Sequence, residues 1–301
     1  MRRLLPAVLA CLLLAGCDGA GESPESAASE TIPQETADAL PETAESGEKE
    51  AFEIAPAEPI SAPAVVTEGR VPERSYKLPG EIKSLIQWNE EQDSIALLAE
   101  TPNQDASLYG FLGEKDLILL RWDNSLAEFD WPYQTSHSVS PQLWLIDADN
   151  DSIEELVVVC HYSSGTGVSI EQLHIIEKNE NGTLTDYRLP EDILCGNQLS
   201  HALKVDSVGQ RTFVTLGREL IEITDLIEAS PTPQGLYAGD IVSFYVNSDN
   251  LSSIPIHLLG KAYLTGAGYT PTCWYVVEIS SQVSYKNGIF TLSDFHLDSL
   301  S

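Results

Sequence analysis

Apolar positions fall into three regimes along the chain. Leu4 to Leu14 is an apolar run behind Met1-Arg2-Arg3, too short to span a bilayer. Asp18 to Arg70 is built of Glu, Ala, Ser, Thr and Pro with few large apolar residues. From Val71 onward, short apolar runs alternate with turn signals, which is the pattern of strands. Ser94 to Glu100, Asp116 to Trp122 and Leu126 to Trp131 read as strands. So do Leu143 to Ile146 and Leu156 to Cys160, on either side of an Asp-rich segment. Val168 to Lys178 and Leu184 to Leu189 make a hairpin around Asn181-Gly182, and Arg211 to Leu216 with Leu220 to Ile223 another about Gly217. Asp240 to Val246 is a further strand. Trp274 to Tyr285 and Ile289 to Leu297 form the clearest hairpin, turning on Lys286-Asn287-Gly288. Ile82, Leu85 and Ile86 lie at helical spacing within Glu81 to Glu91, and Pro190 to Leu203 is a second place for a short helix.

The fold class that follows is mainly β: an antiparallel meander, with propeller-like blades as one form of it, and one or two short helices. An α+β arrangement is the alternative. The sequence shows no strong internal repeat, which argues against a multi-blade array. The organisation reads as residues 1–16, a signal segment; residues 17–70, a linker; and residues 71–301, one globular part. The linker composition cannot bury enough apolar surface to offset chain entropy and predicts disorder. By random-coil scaling it reaches on the order of 40 Å.

Charge narrows the partners. The formal net charge is -30, against nucleic acid or an anionic membrane surface, both of which call for clustered Lys and Arg. It favours cations. Five cysteines occur, at positions 11, 17, 160, 195 and 273, without CxxC or Cys/His zinc spacing.

Leu14-Ala15-Gly16-Cys17 resembles the bacterial lipobox. That resemblance implies cleavage before Cys17, acylation of its thiol, and a protein held on the outer face of the cytoplasmic membrane through its lipid, since two or more acyl chains anchor stably. Asp18 next to the lipid cysteine would mean inner-membrane retention in a Gram-negative cell. With Cys17 acylated, three cysteines remain, and Cys160 with Cys195 is the first pairing to consider; a buried thiol in an apolar strand is the other reading of Cys160.

The densest chemistry is Asp147-Ala148-Asp149-Asn150-Asp151-Ser152-Ile153-Glu154-Glu155. Asp147, Asp149 and Asp151 occupy positions 1, 3 and 5 of a tight loop, where three carboxylates converge and suit a hard cation with oxygen ligands. Ile153 at position 7 offers a carbonyl, and Glu155 at position 9 closes the set. An EF-hand needs Glu at position 12, where this chain has Val158, and helical flanks where these are strand-like. The segment resembles the strand-loop-strand DxDxDGxx[DE] motif of FG-GAP/VCBS repeats, known from integrin-type β-propellers. The resemblance implies Ca2+, with Asp147, Asp149, Asp151 and Glu155 as side-chain ligands and Ile153 through its carbonyl. Ser152 departs from it, standing where the family favours Gly and where the backbone often needs a positive φ. An acidic turn without an ion is the plain alternative.

Ser164-Gly165-Thr166-Gly167 followed by SIEQLHIIE, with LLAE near Ala99 and the closing YKNGIFTLSDF, is similar to lipoproteins of anaerobic Gram-positive bacteria that carry the same signal, tail and single Asp loop. That family has no assigned activity. The Gly-rich run lacks the Lys-Ser/Thr of a phosphate loop and reads as a turn. GxSxG and HExxH are absent. His161 and His174 read as structural. Trp122, Trp131, Tyr133, Trp144 and Tyr162 read as core, with a sugar-stacking surface as the second reading. The expected function is a calcium-stabilised, non-catalytic binding domain with a protein or glycan partner. The alternatives are a cell-envelope or polysaccharide hydrolase, or a structural accessory subunit.

Overall fold

The structure is a computed structural model that describes residues 57–82, 95–111, 116–131, 140–194, 198–227, 233–246, 256–266 and 275–300. These residues are mainly β and antiparallel, as the hydrophobic pattern predicts. In chain order the strands are β1 (Ile60–Pro63), β2 (Val65–Glu68), β3 (Ile95–Glu100), β4 (Ala106–Phe111), β5 (Ile118–Trp122), β6 (Ser125–Phe129), β7 (Gln142–Ile146), β8 (Glu155–Gly165) and β9 (Val168–Lys178). They continue with β10 (Leu184–Arg188), β11 (Lys204–Val208), β12 (Arg211–Leu216), β13 (Glu219–Glu222), β14 (Gly235–Val246), β15 (Ile256–Thr265), β16 (Tyr275–Lys286) and β17 (Ile289–Ser299). Two short helical stretches, α1 (Glu191–Leu194) and α2 (Gln198–Ala202), fall inside the predicted Pro190 to Leu203 segment. The helix predicted over Glu81 to Glu91 lies almost wholly outside the described residues.

Strands β3-β4-β5-β6 form a four-stranded meander and β11-β12-β13 a three-stranded one. The rest belong to a single ten-stranded sheet in the order β1-β17-β16-β15-β14-β9-β10-β2, with β8 on the other edge of β9 and β7 beyond it. This long sheet is nearly closed and barrel-like rather than a propeller blade.

What nearly closes it is a segment the sequence assigns to the linker. Ile60 to Pro63 pairs with β17 from Leu292 to Ile289, and Val65 to Glu68 pairs with β10 from Arg188 to Thr185. Ala64 N donates to Gly288 O, Gly69 N to Leu184 O, and Arg70 exchanges both backbone bonds with Glu128 of β6. Successive residues of a strand direct their backbone groups to opposite edges. The even positions 62 and 64 therefore face β17 and the odd positions 67 and 69 face β10. One extended strap runs between two strands that would otherwise be edges, and its end reaches the meander. The packed unit thus begins before Val71. Pro63 is tolerated because its missing N–H falls on the side away from β17.

Alternation sorts the side chains of the central strands into two layers. On β8 and β9, Val157, Val159, Leu173 and Ile175 face the barrel interior, where they join Phe244, Leu258, Tyr285 and Phe290. Leu156, Val158, Cys160 and Ile176 point the other way, onto Leu108, Leu120, Phe129 and Trp131 of the meander and the residues after it. A third cluster joins Leu236, Ala262 and Val277 to Val214 and Leu216 of the small sheet.

Candidate metal loop

β7 and β8 pair from Gln142↔Val159 to Ile146↔Glu155, so the loop springs from two directly opposed residues. Its backbone is folded by its own carboxyl groups, which accept main-chain N–H bonds as Asx turns do. Asp147 accepts from Asp151 N through Oδ1 at 2.9 Å and from Ser152 N through Oδ2 at 3.0 Å. Asp149 Oδ1 accepts from Asp151 N at 3.1 Å, and Asp151 Oδ1 from Ile153 N at 2.7 Å. Asn150 and Ser152 take φ values of 62° and 74°. The positive φ expected at Ser152 is present, where a non-glycine residue carries strain of order 1–3 kcal/mol.

The three Asp residues come together: each offers a carboxyl oxygen within 4.8 Å of the others. Glu155 lies outside that triad. It is 5% exposed, and its Oε2 accepts from Ala148 N at 2.7 Å, bridging the two ends of the loop. Burial, with repulsion from Asp149, Asp151 and Asp147, pushes its carboxyl up to about 7, against the bond from Ala148. Burial and then the Asp151 charge also raise Asp149. The Ile153 side chain stands 64% exposed at the rim. Chemically the arrangement is a set of acids that repel one another at the mouth of a hairpin, and a cation placed among them would relieve that repulsion.

Two contributions escaped the sequence reading. Ala148 is fully buried in the barrel core and anchors the loop from below. Beside the triad a cleft of about 360 Å³ opens between Asp149, Glu155 and residues of distant strands, among them Glu177, Tyr187 and Asn287. Glu177 accepts from Tyr285 Oη at 2.6 Å, and it adds to the repulsion on Asp149. Nothing local in the sequence marks these residues, since they arrive from β9, β10 and the β16–β17 turn.

The remaining candidates do not gather at this loop. His174, fully buried, sets Nδ1 3.0 Å from both oxygens of Asp186, and Asp186 Oδ2 accepts from Trp131 Nε1 at 2.7 Å. The Trp131 ring lies 4.1 Å from the His174 ring, centre to centre. His161 is 3% exposed, neither ring nitrogen has a hydrogen-bond partner among the described residues, and burial lowers its pKa. Trp122 and Trp131 are core; Trp144 and Tyr162 are partly buried; Tyr133 lies outside the described residues. The Ser164 to Gly167 run ends β8 with Ser164 and Gly165, paired with Ser169 and Val168, and makes the β8–β9 turn at Thr166-Gly167. Cys160 is a free thiol, 1% exposed among apolar neighbours, in keeping with its reading as a buried thiol. Cys17, Cys195 and Cys273 lie outside the described residues. Comparison with protein-family models, curated proteins and solved structures finds no match.

Proposed function

We propose that this chain is an extracytoplasmic lipoprotein, anchored through Cys17, whose β domain is held by Ca2+ in the Asp147 to Glu155 loop and serves as a non-catalytic binding module. The observation that carries the metal reading is the convergence of Asp147, Asp149 and Asp151 oxygens within 4.8 Å. The strand flanks and the positive φ at Ser152 support the likeness to an FG-GAP/VCBS loop. Hard oxygen donors in a partly exposed turn suit Ca2+ better than a softer metal. Asp147, Asp149 and Asp151 would be ligands. Ile153 would add its carbonyl, and Glu155 would join either directly or by keeping Ala148 and the loop ends in place.

Calorimetric titration of the full-length protein with Ca2+ tests the loop. A binding heat lost in Asp149→Ala is expected, and its absence from the wild type would leave an acidic turn. Growth of expressing cells with a fatty-acid analogue tests the anchor. The protein should take up the label and Cys17→Ala should not; a labelled Cys17→Ala protein contradicts anchoring at that residue.

A further inference from the structure

A second cluster stands on the outer face of the long sheet, away from the Asp loop in sequence and independent of the calcium reading. Tyr237, Tyr263 and Tyr275 are cross-strand neighbours on β14, β15 and β16, paired as Tyr237↔Tyr263 and Tyr263↔Tyr275. Their inward-facing neighbours Leu236, Ala262, Leu264 and Val276 fill the core, so the three rings lie on the opposite side. All three are partly exposed. Tyr237 and Tyr263 centroids are 5.2 Å apart with planes at 39°, and Tyr263 and Tyr275 are 5.7 Å apart at 89°. Tyr275 is held in place by its hydroxyl, which donates to Gly167 O of the β8–β9 turn at 2.6 Å.

A bulge brings an acid into this aromatic row. The pairing jumps from Ala238↔Ala262 to Ile241↔Lys261, and Gly239, at a φ of 128°, is one of the two extra residues. A bulge re-aims the side chain that follows it. Here Asp240 reaches the outer face and accepts a hydrogen bond from the Tyr263 hydroxyl. Among the described residues no base pairs with it; Lys261, next in register, is matched with Glu278 at 3.9 Å. Asp240 is partly buried, and that burial raises its carboxyl, while burial and then the Asp240 charge lift Tyr263 to about 12. The patch therefore combines ring faces with an acid that no described Lys, Arg or His pairs.

The rings do not form a flat platform. Two of them meet at nearly a right angle, which disfavours the parallel stacking a sugar ring uses and favours a corner that takes a compact, weakly hydrated cation. A primary ammonium is more strongly hydrated and calls for several acceptors, whereas this corner presents a single carboxyl. We propose that Tyr237, Tyr263, Tyr275 and Asp240 bind a quaternary ammonium group carried on a small molecule. The chain's net charge of -30 concentrates such cations near its surface.

The test uses the full-length protein with ring-labelled tyrosine, followed by NMR, and choline as the probe. Choline should shift the ring signals of Tyr237, Tyr263 and Tyr275 saturably. The neutral isostere 3,3-dimethylbutan-1-ol should bind about tenfold more weakly or worse, because it lacks the charge that both the ring faces and Asp240 attract. Asp240→Asn should weaken choline to a similar degree. The comparison of the two ligands on the wild type stands even if that variant disturbs the bulge. A response to the isostere equal to that for choline overturns the proposal. So does the absence of a saturable response to choline, or a stronger response to a lysine-containing peptide or a neutral oligosaccharide.

Discussion

Replacing Gly69 with alanine tests whether the strap is part of the fold. Gly69 lies where the strap passes between β10 and the meander, with its N–H on Leu184 O. A Cβ built there comes within 2.7 Å of Ala127 Cβ, 2.8 Å of Phe129 Cζ and 3.0 Å of Leu184 O. One neighbour is backbone and another, Phe129, is 1% exposed in the core, so neither moves freely. Overpacking of this kind costs about 1–3 kcal/mol. For a domain of this size that lowers the midpoint of thermal unfolding by roughly 2–4 °C per kcal/mol. Gly80 is the internal control: among the described residues a Cβ there meets nothing within 4 Å, and Gly80→Ala should be neutral or slightly stabilising. Thermal and urea unfolding of the two full-length variants beside the wild type decides the matter. If Gly69→Ala matches Gly80→Ala within about 0.5 kcal/mol, the range of an ordinary surface change, the strap is not packed as described.

Two further outcomes concern buried polar groups. Asp186→Ala strands both Trp131 Nε1 and the His174 ring nitrogen in the core and should cost on the order of 2–6 kcal/mol, while Asp186→Asn, which keeps an acceptor, should cost clearly less; equal losses in urea unfolding would contradict the network. His161 is buried with its pKa lowered, so below its ordinary value of about 6.5 the unfolded chain takes up a proton that the folded chain refuses. Stability contributed by this residue is therefore present above that pH and lost as pH falls toward the lowered value, by at most about 1.4 kcal/mol per pH unit. His161→Gln should flatten that slope in unfolding measured between neutral and mildly acidic pH, and an unchanged slope would refute it.

What could be read from the chain and what could not follows the range of the forces involved. The Asp loop was legible because its carboxyl groups, its turn and its two flanking strands lie within one short segment. The hairpins at Asn181-Gly182 and Asn287-Gly288 were legible for the same reason: turn chemistry and alternation are local. The strap was not. ISAPAVVTE carries the small and acidic residues of the tail before it, and Val65 to Glu68 stay exposed even when paired. It is held largely by backbone bonds to partners far along the chain, which leave little trace in hydrophobicity. β15 was missed because Gly260 interrupts its inward-facing series Ile256, Leu258, Ala262 and Leu264. β4 was missed because Ala106 and Gly110 are small. Asp186 and Trp131 meet only because separate strands carry them, and Asp240 joins the tyrosines only through a bulge.

The claim that a cation in the Asp loop holds the fold is tested most directly by thermal unfolding of the full-length protein in millimolar Ca2+ and in chelator. At Ca2+ about a hundredfold above the dissociation constant, the native state gains about 2.7 kcal/mol, which corresponds to a midpoint roughly 5–10 °C higher than in chelator. Asp149→Ala should unfold at the same temperature in both. Equal midpoints for the wild type, with and without Ca2+, would contradict the account and leave the Asp147 to Glu155 segment an acidic turn folded by its own hydrogen bonds.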